Sequence, residues 1–161
     1  MDSSPPLPFE IHTASWRDVG ELRTLEQECF AQDAWPLIEL LASLTMPGLV
    51  RLKAVCDNQM VGFVGADAER ENHLGWITTI GVRPAWRRRG IGRALLAAAE
   101  TAMAQPRVRL CVRKSNAGAV DMYLQEGYQP VDLWKSYYIG GEDALVMEKN
   151  RSSVTEDKKQ A

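Results

Sequence analysis

The chain has 161 residues, 45% of them hydrophobic and 25% charged, a composition that fits one domain with a packed core and excludes a wholly disordered chain. Nineteen Lys+Arg against twenty-one Asp+Glu leave a net charge of −2, so no global basic field draws the protein to nucleic acid. Five arginines, Arg83, Arg87, Arg88, Arg89 and Arg93, nevertheless fall in one stretch that contains no acid, which suits a compact anionic ligand better than a duplex. Cys29, Cys56 and Cys111 are odd in number and far apart, without a CxxC, and the two histidines, His12 and His73, stand at no ligand spacing. That pattern fits a reducing compartment and argues against a disulfide framework or a metal site. The longest apolar stretch, Ala94 to Ala104, is too short to span a membrane and carries Glu100. The opening Met-Asp-Ser-Ser-Pro-Pro lacks the cationic start and apolar run of a signal peptide, so the expected location is the cytoplasm.

Residues 1–8 and 150–161 read as polar tails around one domain at 9–149. The first strand is expected at Glu10 to Ala14. Ser15, with Asp18 three residues on, forms a capping-box pattern for a helix whose apolar stripe is Val19, Leu22, Leu25 and Cys29. Asp33 to Pro36 breaks the chain and starts a second short helix, with Pro36 suited to its first position, and Met46-Pro47-Gly48 ends it. Leu49 to Cys56 and Met60 to Ala68 read as a hairpin about Asp57-Asn58-Gln59, and His73 to Val82 as the third strand of a meander. Strong helix formers occupy Ile91 to Ala104, followed by a strand at Val108 to Val112. Ala117 to Glu126 is a helix stopped by Gly127, a left-handed cap. Tyr128 to Trp134 and Ala144 to Glu148 complete the order β-α-α-β-β-β-α-β-α-β-β, an α/β fold with a mixed, mainly antiparallel sheet flanked by helices.

The most informative segment runs from Ile80-Gly81-Val82 through Arg87-Arg88-Arg89-Gly90-Ile91-Gly92-Arg93. It is a strand end, a cationic glycine turn and a helix start. Glycines allow close backbone approach, the unpaired N–H groups of the first helical turn favour an anion, and arginines donate in pairs to phosphate oxygens. No Gly-Lys-Ser/Thr follows, so it is not a P-loop, and Leu95 stands where a dinucleotide fingerprint needs its third glycine. The alternative is a solvated basic turn before an ordinary helix.

Arg87-Arg88-Arg89-Gly90-Ile91-Gly92 resembles the acetyl-CoA motif R/Q-x-x-G-x-G/A of the GNAT family of N-acetyltransferases, whose fold has the element order above. Val112-Arg113-Lys114-Ser115-Asn116, Ala119, Tyr123 and Gly127-Tyr128 resemble the family's V-R-x-S-N…A…Y…G-F/Y block. Tyr137-Tyr138, Gly141-Glu142-Asp143-Ala144 and Met147 resemble the YY…GEDA..M signature of N-terminal protein acetyltransferases, the RimI type especially, and Cys29-Phe30…Trp35 is similar to that group's first substrate-loop segment. The resemblance implies acetyl-CoA as co-substrate and no metal. Ile80, Gly81 and Val82 would lie beside its acetyl and pantetheine portion. Arg88, Arg89, Gly90, Ile91, Gly92 and Arg93 would hold the pyrophosphate, and Asn116 would contact the pantetheine arm. Tyr123 would act as general acid at the thioester sulfur, and Phe30, Tyr137 and Tyr138 would flank the acceptor, a protein or peptide N-terminus. No nucleic-acid or membrane partner is implied, and the expected state is a monomer or weak homodimer.

A tyrosine with a pKa of about 10 is protonated at neutral pH and can assist departure of a thiolate. Packing its helix onto the sheet is the other role open to Tyr123. Tyr137 and Tyr138, if adjacent in a regular strand, point to opposite faces, so one at most lines a given pocket. Both can instead be aromatics covering the sheet edge. The main departure from the family is Cys111, which stands where RimI-type enzymes carry a glutamate base and relatives a histidine. Trp76 replaces the tyrosine of the histidine-bearing relatives. A peptide α-amine, with a pKa of about 7.7–8.0, is partly neutral already, whereas a lysine ε-amine needs about 3.4 kcal/mol more help. The vacant base position therefore favours an α-amine. A water relay to Glu142 or Asp143 is one substitute route. The other functions compatible with these residues are acetylation of a small-molecule amine and non-catalytic acyl-CoA binding.

Overall fold

The computed structural model describes residues 8–151. Asp57 and Asn58 both take positive φ, 51° and 58°, which makes the tight two-residue turn that matches strand twist. That turn joins β2 (Leu49–Cys56) to β3 (Gln59–Glu71), and β1 (Glu10–Thr13) adds to β2's free edge. β4 (Leu74–Val82) completes the antiparallel meander. β5 (Arg107–Arg113) then runs parallel to β4, and β7 (Ala144–Asn150) is inserted between β5 and β6 (Gln129–Trp134). The order across the single sheet is β1-β2-β3-β4-β5-β7-β6. This is the mixed, mainly antiparallel sheet expected. Asn150 ends β7, and the amide of Arg151 donates to Pro106 O at 2.7 Å. These two residues of the expected C-terminal tail therefore belong to the fold, while the rest of both tails, Pro8 aside, lies outside the described residues.

Helices cover both faces. α1 (Val19–Phe30) and α2 (Leu37–Thr45) bury Leu22, Leu25, Leu40 and Leu44 against Met60 and Phe63 of β3. On the opposite face α3 (Ile91–Met103) packs Ile91, Leu95, Leu96 and Ala99 against Val61, Val64 and Ala66. β3 is thus buried on both sides, which explains its nearly continuous apolar run. α4 (Ala117–Gln125) contributes Tyr123 to the same cluster as α3, and Gly127, at φ +95°, ends its C-terminal turn as expected. Two local expectations are corrected. The Ser15–Asp18 capping box forms, the Ser15 amide donating to Asp18 Oδ2 at 2.8 Å, but it opens a 3-10 turn (Trp16–Asp18) ahead of α1 rather than α1 itself. Pro36 is the N-cap of α2 rather than its first residue, and its carbonyl accepts from Leu40 at 3.1 Å.

Candidate active site

The site begins with a failure of pairing. β4 and β5 are joined only from Leu74↔Arg107 to Trp76↔Arg109. Next to the last of these pairs, the register of β4 against β3 jumps from Ala66↔Ile77 to Gly65↔Thr79, so Thr78 is an extra, bulged residue. A bulge bends its strand and ends local pairing. The C-terminal halves of β4 and β5 separate, and a cleft of about 1110 Å³ opens between them. Its floor is β4 from Ile77 to Val82. Its walls are the start of α3, the end of β5, α4, the C-terminal end of α1 with the loop after it, and Tyr138.

At one end lies the glycine turn. Gly90 is the N-cap of α3 at φ +80°, a left-handed conformation that leaves its Cα facing open space. Its carbonyl accepts from Ala94 at 3.1 Å, so the amides of Ile91, Gly92 and Arg93 begin the helix without intrahelical acceptors. These residues, with Gly90 and Arg88, line the cleft. Arg93 also binds Glu126 at 3.1 Å. Arg89 does not line the cleft: its guanidinium lies 5.0 Å over the Trp86 ring and reaches Ala85 O at 3.4 Å. Arg87, a motif residue not among the expected pyrophosphate ligands, does line it and is braced by Val82 O at 3.0 Å from Nε. An anion with several oxygens fits this set of open amides and guanidinium groups.

The middle of the cleft carries Ile80, Gly81, Val82, Asn116 and Tyr123. Asn116 caps α4, its Oδ1 accepting from the Ala119 amide at 3.2 Å, which leaves the NH₂ group as its remaining donor. Tyr123 is 5% exposed and edge-on to Tyr128 at 5.9 Å. It packs its helix onto the core and also lines the cleft. Burial pushes its phenol pKa up, so the hydroxyl stays protonated at neutral pH. A Cβ on Gly81 would lie 3.2 Å from the Phe30 ring and 3.3 Å from Cys29 Sγ. The absence of a side chain there is what lets α1's last turn close onto β4.

At the other end Tyr138 lines the cleft beneath the Arg113 guanidinium, 4.5 Å above its ring. Tyr137 does not line it; it is 54% exposed, packed edge-on to Tyr138 at 5.1 Å and against Trp134 at 5.4 Å. The pair lies in the turn between β6 and β7, so the strand alternation considered for it does not operate. Arg113 pairs with Asp33 after α1 and with Glu142 at 2.7 Å before β7. One side chain thus ties two loops together across this end. Glu142 also accepts from the Ser115 amide at 2.9 Å, and these donors hold its carboxyl down at about 2. It is too weak a base for the relay considered for it, and neither it nor Asp143 lines the cleft.

Cys111 lines the cleft from β5, with Val108, Leu110 and Val112 turned to the core as the strand alternation required. It packs with Trp76, Trp134 and Val146, and burial pushes its thiol up to about 11. It is a neutral wall. The residue that sequence reading missed is Glu26 on α1. Its signal was available: Leu22, Leu25, Glu26 and Cys29 share one helical stripe, so an acid stands among buried apolar positions. Among the described residues no group of three or more His, Cys, Asp or Glu side chains is placed to hold a metal.

The cradle, split sheet and cleft define an acyl-CoA-dependent transferase, and the model of the Acetyltransferase (GNAT) family matches residues 10–128. The chain belongs to that family and uses acetyl-CoA as its co-substrate. Within it, the chain is similar to the N-alpha-acetyltransferase RimI of Mycobacterium tuberculosis, at 32% identity over 89% of this chain and 93% of that one. It is also similar to the catalytic subunit NAA10 of the Arabidopsis thaliana N-terminal acetyltransferase A complex, at 31% identity over 87% of this chain and 77% of that one. In fold it matches the Escherichia coli ribosomal-protein-S18-alanine N-acetyltransferase with a TM-score of 0.80, 23% identity and coverage of 89% and 94%.

Proposed function

We propose that the protein transfers the acetyl group of acetyl-CoA to the α-amino group of a protein or peptide N-terminus. The observation that carries this reading is the continuity of one cleft, from the anion cradle at Ile91–Arg93 past Tyr123 to Tyr138. The pyrophosphate of acetyl-CoA lies on the α3 amides with Arg88 and Arg93 beside it, and Arg87, rather than Arg89, completes the cationic set. The pantetheine arm runs along Ile80 to Val82 and past Asn116, bringing the thioester to Tyr123. Tyr123 donates its proton to the departing thiolate. The acceptor enters between Phe30 and Tyr138, while Tyr137 acts from outside by supporting Tyr138. The names of the similar proteins from Mycobacterium and Arabidopsis support an N-terminal α-amine as acceptor. No helix among the described residues is long and apolar enough to cross a membrane, and we read the protein as a cytoplasmic enzyme, monomeric or weakly dimeric.

The test is acetyl-CoA turnover on peptides beginning with Ala, Ser or Met, beside an N-terminally blocked lysine peptide and a polyamine. Coenzyme A release with the acetyl group on the N-terminal residue is expected. Acetylation confined to lysine or the polyamine, or no turnover with any acceptor, overturns the reading.

A further inference from the structure

The cleft contains a carboxylate that the family resemblance did not assign. Glu26 is 1% exposed, lines the cleft, and has Oε1 accepting from the Thr79 hydroxyl at 3.2 Å, while its buried Oε2 has no hydrogen-bond partner. A buried carboxylate oxygen left unpaired costs free energy unless a donor reaches it. The cavity that Glu26 borders is the cleft. We propose that Glu26 is the proton acceptor for the incoming amine, a catalytic base supplied from α1 in place of one at Cys111 on β5. This rests on the acetyltransferase reading above and adds the missing half of its proton transfer.

The other ionisable groups of the cleft do not compete. On its own helix Cys29 is a thiol pushed up by burial and donates to Val82 O at 3.4 Å. Asp33 on the following loop and Arg113 on β5 neutralise each other. Cys111 is a neutral thiol, and Tyr123 and Tyr138 are phenols raised by burial. Asp121 is exposed on α4, whose Met122 abuts Gly92 at the cradle end, where Arg87, Arg88 and Arg93 also lie. Among the described side chains, those of β3, β4 and α2, packed against α1, place no charge in the cleft. Burial raises the Glu26 carboxyl, against the lowering effect of the Thr79 hydroxyl and of the Trp35 backbone amide, which acts on the carboxyl without a hydrogen bond of normal geometry, and a raised carboxyl is the stronger base.

The step balances as follows. The acceptor –NH₃⁺ gives one proton to the Glu26 carboxylate, directly or through one water, and the freed lone pair forms the N–C bond to the acetyl carbon. The C–S bond breaks and the thiolate takes the Tyr123 proton. The nitrogen's surplus proton restores the Tyr123 phenol, and Glu26 returns its proton to solvent. The products are an amide, a free thiol and one proton.

Glu26→Gln keeps the shape and removes the base. At saturating acetyl-CoA it should lower kcat on an α-amino peptide by ~10²-fold at pH 7, with the gap closing as pH passes the amine's own pKa of about 8. Because the native carboxyl is raised above 4.5, its stabilising contribution is complete below that pH and is lost as pH rises through the raised value. The variant, which has no charge to bury, should therefore melt at or above the wild-type temperature at pH 7. Its acetyl-CoA-induced thermal shift should be unchanged. Thr79→Val, which removes a donor to the charged form, should move the acidic limb of the wild-type pH–rate profile to higher pH. A Glu26→Gln rate within about threefold of wild type at pH 7, a loss equal at every pH, or an unmoved limb in Thr79→Val overturns the proposal. If wild type itself acetylates no α-amine, the functional reading has failed instead.

Discussion

Replacing Gly90 and Gly92 separately by alanine distinguishes the backbone demand of the turn from the demand of its ligand. Gly90 sits at φ +80° with nothing within 4 Å of the Cβ position. Gly90→Ala therefore meets no clash, and its cost is conformational, about 1–2 kcal/mol for a non-glycine residue in the left-handed region. For a chain of this size that lowers Tm by roughly 2–8 °C. Gly92 is inside α3, and a Cβ there meets Met122 Sδ at 3.5 Å, an ordinary contact. Gly92→Ala gains helix propensity of up to about 1 kcal/mol, so the free protein should melt at the wild-type temperature or slightly higher. Bound acetyl-CoA at one hundred times its dissociation constant stabilises the wild type by about 2.7 kcal/mol, and a hundredfold weaker variant at the same concentration by only ~0.4 kcal/mol. A methyl group where the pyrophosphate approaches the backbone should move Gly92→Ala toward the second figure while leaving its own fold intact. The assay is a thermal melt of both variants with and without acetyl-CoA. If Gly92→Ala keeps the full ligand shift, the cradle does not lie at the start of α3.

Tyr123→Phe should lower kcat by ~10²-fold, the scale for loss of a general acid, and keep the acetyl-CoA thermal shift; a near-normal steady-state rate restricts Tyr123 to packing. Cys111→Ala should hold activity within a few fold and leave the pH profile unchanged, because a thiol near 11 has no thiolate to lose at neutral pH; a folded but inactive variant contradicts the neutral-wall assignment. Glu142, held at about 2 against a usual 4.5, stabilises the fold fully above pH 4.5 and progressively less as pH falls toward 2. Glu142→Gln should flatten melting temperature against pH across that window, and an unchanged acid limb in thermal melts means the Arg113 link does not hold the loop.

Much of the architecture was legible because its signals are local. The Asp57-Asn58 turn, the alternation Val108, Leu110, Val112, the stripe of α1 and the Gly127 stop each follow from residues that touch their chain neighbours. The glycine turn before α3 was legible for the same reason, since turn, arginines and helix start are contiguous. What the local signals did not give has a common cause. Arg89 was counted with its neighbours, but a side chain's direction in a turn depends on the Trp86 ring it finds. Tyr137 and Tyr138 lie between the last two strands, where the element order leaves them, but which of the two faces the cleft depends on the fold of that turn. Glu142 had the right chemistry for a relay until Arg113, 29 residues away, engaged it.

Sequence alone thus determined the element order, the mixed sheet, the glycine turn before α3 and the absence of the family's base from position 111, all of them properties of short segments. Tertiary structure decided where the chemistry lies. β4 and β5 pair for three residues and then part, and that separation is set by the Thr78 bulge together with the competing partners β3 and β7. No pattern within either strand encodes it. The cleft it opens brings Glu26 of α1 together with Cys111 of β5 and Tyr123 of α4. A carboxylate in an apolar stripe is only a local anomaly in the sequence. Burial beside a vacant space, a condition imposed by residues more than fifty positions away such as Thr79, gives it chemical meaning.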